Sequence, residues 1–349
     1  MIVNYFRIFR RKKGIFKRMV LGSIAVIFIL GLVLVFLSFG PFDKKAEKIT
    51  WGVTFSKPYA QSLGLDWKET YLALLDELGI KNIRIPAYWN ELEGPKDVFY
   101  FENLDWQINE AEKRGASVIL SIGRRLTRWP ECHVPPWAKY ESEEFQQERI
   151  LVMLEKVVSR YKDRPVIAAW QVENEPFLRF FGICPPPDEK FFKKEVDLVK
   201  SLDPSRPIIV SDSGELSTWL TASKYGDIFG TTMYRVVPSA LFGGYTTYPL
   251  PPWFYRKKAN VVSKFRPLKK MIVVELQAEA WAAKKFIGEM TLEESYESMS
   301  PEQFRKNIQY GRDSGIGEIY LWGVEWWQWL ALQGYTEIWE EAKLLFNEK

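Results

Sequence analysis

From residue 50 to residue 346 the chain alternates short apolar runs with amphipathic stretches at helical spacing. This alternation restricts the fold more than any other feature. Residues 50–55 read as a first strand, and Trp67, Tyr71, Leu74, Leu75 and Leu78 then share one helical face. Asp66 with Glu69 predicts a capping box, and Gly79 the end of that helix. Further strands are expected at residues 82–86, 117–121, from 166, at 207–210, 227–232, 271–275 and 318–322. A helix capped by Ser142 and running to Arg160 leads into the fourth strand. Eight such repeats indicate parallel strands with crossover helices. An open doubly wound sheet is the alternative, but it normally opens with a glycine-rich phosphate loop after its first strand. Trp51 to Pro58 contains no such loop. The expected fold is a (β/α)8 TIM barrel over residues 49–349, a length ordinary for that architecture.

One transmembrane helix is expected ahead of the barrel. Arg7, Arg10, Arg11, Lys12, Lys13, Lys17 and Arg18 form a basic cluster without acids, over a cytoplasmic segment 1–18. Residues 19–39 carry no charge, and about 20 apolar residues span a bilayer as a helix. The positive flank stays inside, so the remainder is expected outside the membrane. A cleaved signal peptide is the competing reading; residues 37–41 offer no small-x-small site, which favours an uncleaved anchor. Residues 40–48 read as a linker. The net charge of +4 comes from this cluster: removing its seven cations from 48 Lys+Arg leaves 41 against 44 Asp+Glu. No basic face marks a nucleic-acid partner. The expected partners are the lipid bilayer, through residues 19–39, and an oligo- or polysaccharide; oligomeric state is not set by the sequence.

The saccharide expectation comes from the strand ends. In a barrel of this kind the strands' C-terminal ends converge on the face that holds the site. The apolar run 166–169 leads into Trp170-Gln171-Val172-Glu173-Asn174-Glu175-Pro176, delivering a carboxylate beside an amide. Residues 271–274 deliver Glu275 in the same way, with Glu279 as its local rival. Two carboxylates flanking a glycosidic bond are the minimum for cutting it; a spacing of about 5–5.5 Å retains anomeric configuration, and about 6.5–9.5 Å inverts it. Glu173 is expected to support the barrel top. One His and scattered carboxylates indicate no metal site, and no cofactor is implied.

These residues, over about 49–345, resemble a clan A retaining glycoside hydrolase, the superfamily that includes families 5, 39 and 42. Asn174-Glu175-Pro176 after strand four is similar to that clan's acid/base signature. Arg84, Tyr234, Glu275 and Trp322, after strands two, six, seven and eight, match its other recurrent positions, and Trp89 lies in a stretch similar to clan members. The resemblance implies Glu175 as acid/base and Glu275 as nucleophile. It implies Asn174 on the 2-hydroxyl, Arg84 and Tyr234 on the nucleophile, and Trp322 as the floor under the sugar. Family 5 members place His residues after strands three and six. This chain has only His133, after strand three, read as a substrate contact.

Cys132 and Cys184 fall in the loops after strands three and four. Neighbouring parallel strands lie about 4.8 Å apart, so these loops start side by side and a disulfide is expected, holding His133 and Phe177 beside Glu175. The leading expectation is a membrane-anchored retaining β-glycosidase. A transglycosylase on the same barrel, or a catalytically silent carbohydrate-binding protein, are the alternatives.

Overall fold

The computed structural model describes residues 46 and 48–348 except 240–242 and 283–284, together with residues 21–25, 27, 28 and 31. The chain divides into two compact units, Met1–Asp43 and Lys44–Lys349. In the first, the described residues are helical. The rest of the expected span 19–39, the basic segment 1–18 and most of the linker 40–48 lie outside the described residues. Among the described residues no helix is long and apolar enough to cross a membrane.

The second unit contains the alternating strands. In chain order they are β1 (Thr50–Thr54), β2 (Asn82–Pro86), β3 (Ser117–Ile122), β4 (Ile167–Val172), β5 (Ile208–Asp212), β6 (Ile228–Met233), β7 (Val236–Pro238), β8 (Tyr245–Thr247), β9 (Met271–Gln277) and β10 (Glu318–Trp322). Eight of them close a barrel in the order β1-β10-β9-β6-β5-β4-β3-β2, and every pairing in it is parallel. This is the expected (β/α)8 architecture. β7 and β8 form a separate antiparallel hairpin in the long connection after β6.

Alternation along the strands separates two cores. Val53, Ile83, Ile85, Val118, Leu120, Trp170, Val210, Val273 and Leu321 join the layer beneath the helices. Ile119, Ala169, Ile209, Ile272, Val274 and Tyr320 fill the barrel interior. Gly52 makes room there: a Cβ on it would come within 2.6 Å of the Tyr320 ring. Above this apolar plug the inward positions turn polar, with Thr54, Arg84, Gln171, Ser211 and Thr232 all buried.

Three local expectations need correction. Helix Trp67–Asp76 is capped by the Asp66 side chain, which accepts from the Lys68 and Glu69 amides, but the reciprocal half of the box is not among its bonds. The hydroxyl-headed pair Thr291 and Glu294 forms a complete box instead. β9 also runs past Glu275 to Gln277. Its register explains why: Thr231 pairs with Val273 and Thr232 with Glu275, while Ile319 pairs with Val273 and Leu321 with Leu276. Both neighbours thus face one extra residue in β9, a bulge that re-aims a side chain. Third, Phe177 packs against Phe192 and Tyr225 and is not among the residues that line the cavity with Glu175.

Candidate active site

The polar upper layer of the barrel opens into a cavity of about 660 Å³ lined by Asn174, Glu175, Tyr234, Glu275 and Trp322, among others. Arg84, fully buried on β2, organises its floor. Its Nε donates to Gln171 Oε1 at 2.7 Å, Nη2 to Asn174 Oδ1 at 2.8 Å, and Nη1 to Glu275 Oε1 at 2.9 Å. One guanidinium therefore ties the ends of β4 and β9 together. Its rigid fork is suited to holding several acceptors at fixed angles. Tyr234 donates its hydroxyl to Glu275 Oε2 at 3.0 Å, so both nucleophile-candidate oxygens are oriented.

Glu175 is built differently. Ser211 Oγ receives its backbone N–H at 3.0 Å, and Thr232 Oγ1 lies 3.4 Å from its Oε1. Glu173 and Glu175 both adopt left-handed backbone, with φ of 56° and 46°. Such residues are uncommon outside glycine and cluster at functional turns. Burial, reinforced by the charges of Glu275, Glu131 and Asp212, holds the Glu175 carboxyl well above the ordinary carboxylate range. One acid whose carboxyl is raised by burial thus shares the cavity with another held by a cation and a phenol, a division that suits acid and nucleophile.

Glu173 supports the barrel top. Its carboxylate accepts from the Arg124 amide at 2.8 Å and the Arg125 amide at 2.5 Å. The Asn174 amide in turn donates to Arg125 O at 2.6 Å. The loops after β3 and β4 are joined again by the expected disulfide, Cys132–Cys184, with a Cα–Cα distance of 5.3 Å.

The remaining sequence candidates are placed unevenly. His133 lines the cavity, yet its Nε2 lies 3.2 Å from the backbone oxygens of both Thr127 and Arg128. Burial pushes its pKa down to about 4, against those carbonyls. The ring is thus a clasp for its own loop. Trp89 is not brought to the cavity: it is fully buried, donates to Glu93 Oε2 at 2.7 Å and packs edge-on against Trp137. Trp322 reaches the cavity, but the Arg128 guanidinium sits 3.9 Å from its ring centroid and 3.5 Å from that of Tyr59. Glu279, the sequence rival of Glu275, is bound to Arg128 and accepts from Tyr59 at 3.2 Å. Arg128 also reaches Glu325 at 3.0 Å.

Several cavity residues carry no strand-end signal in the sequence. Arg128, Glu131 and Glu215 sit in loops, and only the fold shows that they converge. Glu215 accepts from Tyr255 Oη at 2.6 Å and from the Tyr234 amide at 3.0 Å. Burial lifts its pKa to about 7, against the bond from Tyr255. Burial likewise lifts Glu131 to about 8, with Arg125 opposing.

Comparison with known proteins bears on the family and the fold. The family model for cellulase, glycosyl hydrolase family 5, matches residues 46–274, ending one residue before Glu275. A probable mannan endo-1,4-beta-mannosidase F of Aspergillus flavus is 30% identical over 122 residues, covering 32% of this chain and 25% of the relative. A probable mannan endo-1,4-beta-mannosidase A-1 of Aspergillus terreus is 26% identical over 162 residues, covering 42% and 40%. The chain therefore spans well under half the length of these curated relatives. Among solved structures, GH5_18 from Streptomyces cattleya in complex with GlcNAc superimposes with TM-score 0.56 at 13% identity, over 79% of this chain and 71% of that one. Native xylanase 10B from Thermotoga maritima gives 0.55 at 15%, over 79% and 83%. At such identities these neighbours speak to the fold alone. With the family model covering about two thirds of its length, the chain belongs to the cellulase family, glycosyl hydrolase family 5.

Proposed function

We propose that this protein is a retaining glycoside hydrolase acting on β-linked oligo- or polysaccharides, anchored by residues 19–39 with its barrel outside the membrane. The observation that carries the chemistry is the unequal treatment of two carboxyl groups in one cavity. Glu275 is held by Arg84 and Tyr234, while burial and neighbouring acids hold the Glu175 carboxyl well above the ordinary carboxylate range. In the first step Glu175 gives its proton to the leaving oxygen as Glu275 attacks the anomeric carbon, forming a glycosyl ester. In the second, Glu175 takes a proton from water, which displaces Glu275. Asn174, fixed by Arg84 through its Oδ1, keeps its amide N–H2 directed toward a sugar hydroxyl. The mannosidase names of the relatives make β-mannan the first substrate to try.

The test is proton NMR of the first-formed product from an aryl β-glycoside or β-mannan. Retention shows the β-anomer first and mutarotation afterwards. An α-anomer formed first would replace the double displacement with a single inverting one. Anchoring is tested separately by intact mass of the detergent-extracted chain: a mature N-terminus near Gly40 would show a cleaved leader instead.

A further inference from the structure

Arg128 lines the cavity from a backbone conformation that few side chains adopt, left-handed at φ 75°. Its loop keeps it there. His133 clasps the carbonyl oxygens of Thr127 and Arg128, and Tyr88 Oη lies 3.1 Å from Thr127 O and 2.8 Å from Ser56 Oγ, tying the loop after β3 to the loop after β1. Such conformations persist where the surroundings over-determine them, and they cluster at functional loops. The guanidinium carbon lies 3.5 Å from the centroid of Tyr59 and 3.9 Å from that of Trp322. Nη1 is paired with Glu279, and Nη2 with Glu325 at 3.0 Å. Both acids are fixed in turn: Tyr59 Oη donates to Glu279 at 3.2 Å, and the Ser56 amide donates to Glu325. A cation already paired with two held carboxylates is a fixed bar, not a receptor waiting for an anionic sugar.

Position decides what the bar obstructs. In the strand order of the closed barrel β10, which ends at Trp322, stands diametrically opposite β4, whose end carries Glu175. The leaving group lies toward the acid, so the glycone lies toward β10 and β1. Arg128, Glu279, Tyr59 and Glu325 come together on that side, and under them Trp322 keeps only 8% exposure. A further glycone unit would have to pass through this cluster. We propose that Arg128 closes the glycone end of the cavity, so that the protein removes one terminal sugar from the non-reducing end of a β-linked chain and does not cut within it. This rests on the assignment of Glu175 as acid and Glu275 as nucleophile.

The experiment uses the full-length chain and a reducing-end-labelled hexasaccharide of the sugar whose 4-nitrophenyl β-glycoside is cleaved, β-mannose first. At low conversion the products should be free monosaccharide and labelled pentasaccharide. The 4-nitrophenyl glycoside of the disaccharide should release nitrophenol only after its terminal sugar has gone. This gives a lag, with an initial rate at least about tenfold below that of the monosaccharide glycoside, because the clash excludes the longer glycone. Arg128→Ala should abolish the lag and release disaccharide from the hexasaccharide in the first turnovers. That substitution strands two acids without their cation, so the triple variant with Glu279→Gln and Glu325→Gln is read beside it. Unlabelled disaccharide or longer products from the wild-type chain at low conversion overturn the proposal. So does an unchanged product pattern in a folded, active variant. Cleavage of no glycoside at all removes the two-carboxylate reading beneath the proposal, whereas cleavage with an internal pattern removes the closed end alone.

Discussion

At the residue scale the molecule places two chemically identical side chains, Glu175 and Glu275, in unlike surroundings. Glu275→Gln removes the carboxylate proposed to attack while leaving the Arg84 and Tyr234 partners in place. Hydrolysis of every substrate should fall by at least about 10³-fold, near the limit of detection. Glu175→Ala should keep measurable turnover on dinitrophenyl glycosides, whose leaving group departs unprotonated, and azide should raise it while yielding a β-glycosyl azide. Steady-state rates and product analysis read both; equal losses on activated and unactivated substrates in Glu175→Ala would remove it from the acid role. Much of this was legible in the sequence, because Glu175 stands in Asn-Glu-Pro directly after an apolar run. Glu275 is instructive for the opposite reason. Strict alternation from the inward Ile272 and Val274 would put Glu275 on the outer face, alongside the outward Val273. The extra residue in β9 turns it inward, and a bulge leaves no trace in an apolar run. Trp89 misled because a tryptophan after a strand can equally be core, and here Glu93 gives its indole N–H a buried partner. Arg128 was invisible because its four neighbours, Tyr59, Glu279, Trp322 and Glu325, come from distant parts of the chain.

At the element scale the turns at the tops of β3 and β4 are built as one piece. Gly123 ends β3 at φ 132°, and a Cβ on it would come within 2.5 Å of the Glu173 carboxylate. That carboxylate holds the Arg124 and Arg125 amides, and Arg125 O holds the Asn174 amide. Gly123→Ala should therefore act at a distance, displacing Asn174 and Glu175 through Glu173. A misplacement of about 1 Å at reacting groups costs about 10²-fold, so kcat should fall by that order, while kcat/KM falls at least as far. Stopped assays on an aryl glycoside and a thermal scan read the two effects. Unchanged kcat in a folded Gly123→Ala protein would show that Glu173 does not set the position of the acid. Element positions were readable from the sequence because burial imposes a period of two on the strands and 3.6 on the helices. Their ends were not, since β9 is prolonged by pairing on both sides rather than by its own composition.

At the scale of the whole molecule, the carboxyl groups packed into one end of the barrel make stability depend on pH. Burial raises Glu131 to about 8, Glu215 to about 7 and Glu325 to about 7. The native state therefore keeps protons that the unfolded chain releases above its ordinary carboxylate range, and stability falls as pH rises through about 4.5 to 8. His133 works with the other sign. Its folded pKa is lowered to about 4, so its contribution is lost as pH falls from about 6.5 toward 4. Three raised carboxyls outweigh the one histidine, so the Tm should decline from about pH 5 toward pH 8, and Glu131→Gln should shallow that decline. A Tm that climbs steadily to pH 8 would contradict this balance. The closing seam has a further consequence, for biogenesis. β1 meets β10 along its whole length, and the Ser56 amide is bonded to Glu325 across 269 residues of sequence. Parallel pairings that distant form slowly and only after both partners exist. A chain still being synthesised therefore carries an unpaired edge on β1 until β10 has emerged, and during that interval it depends on whatever shields nascent sheets from one another.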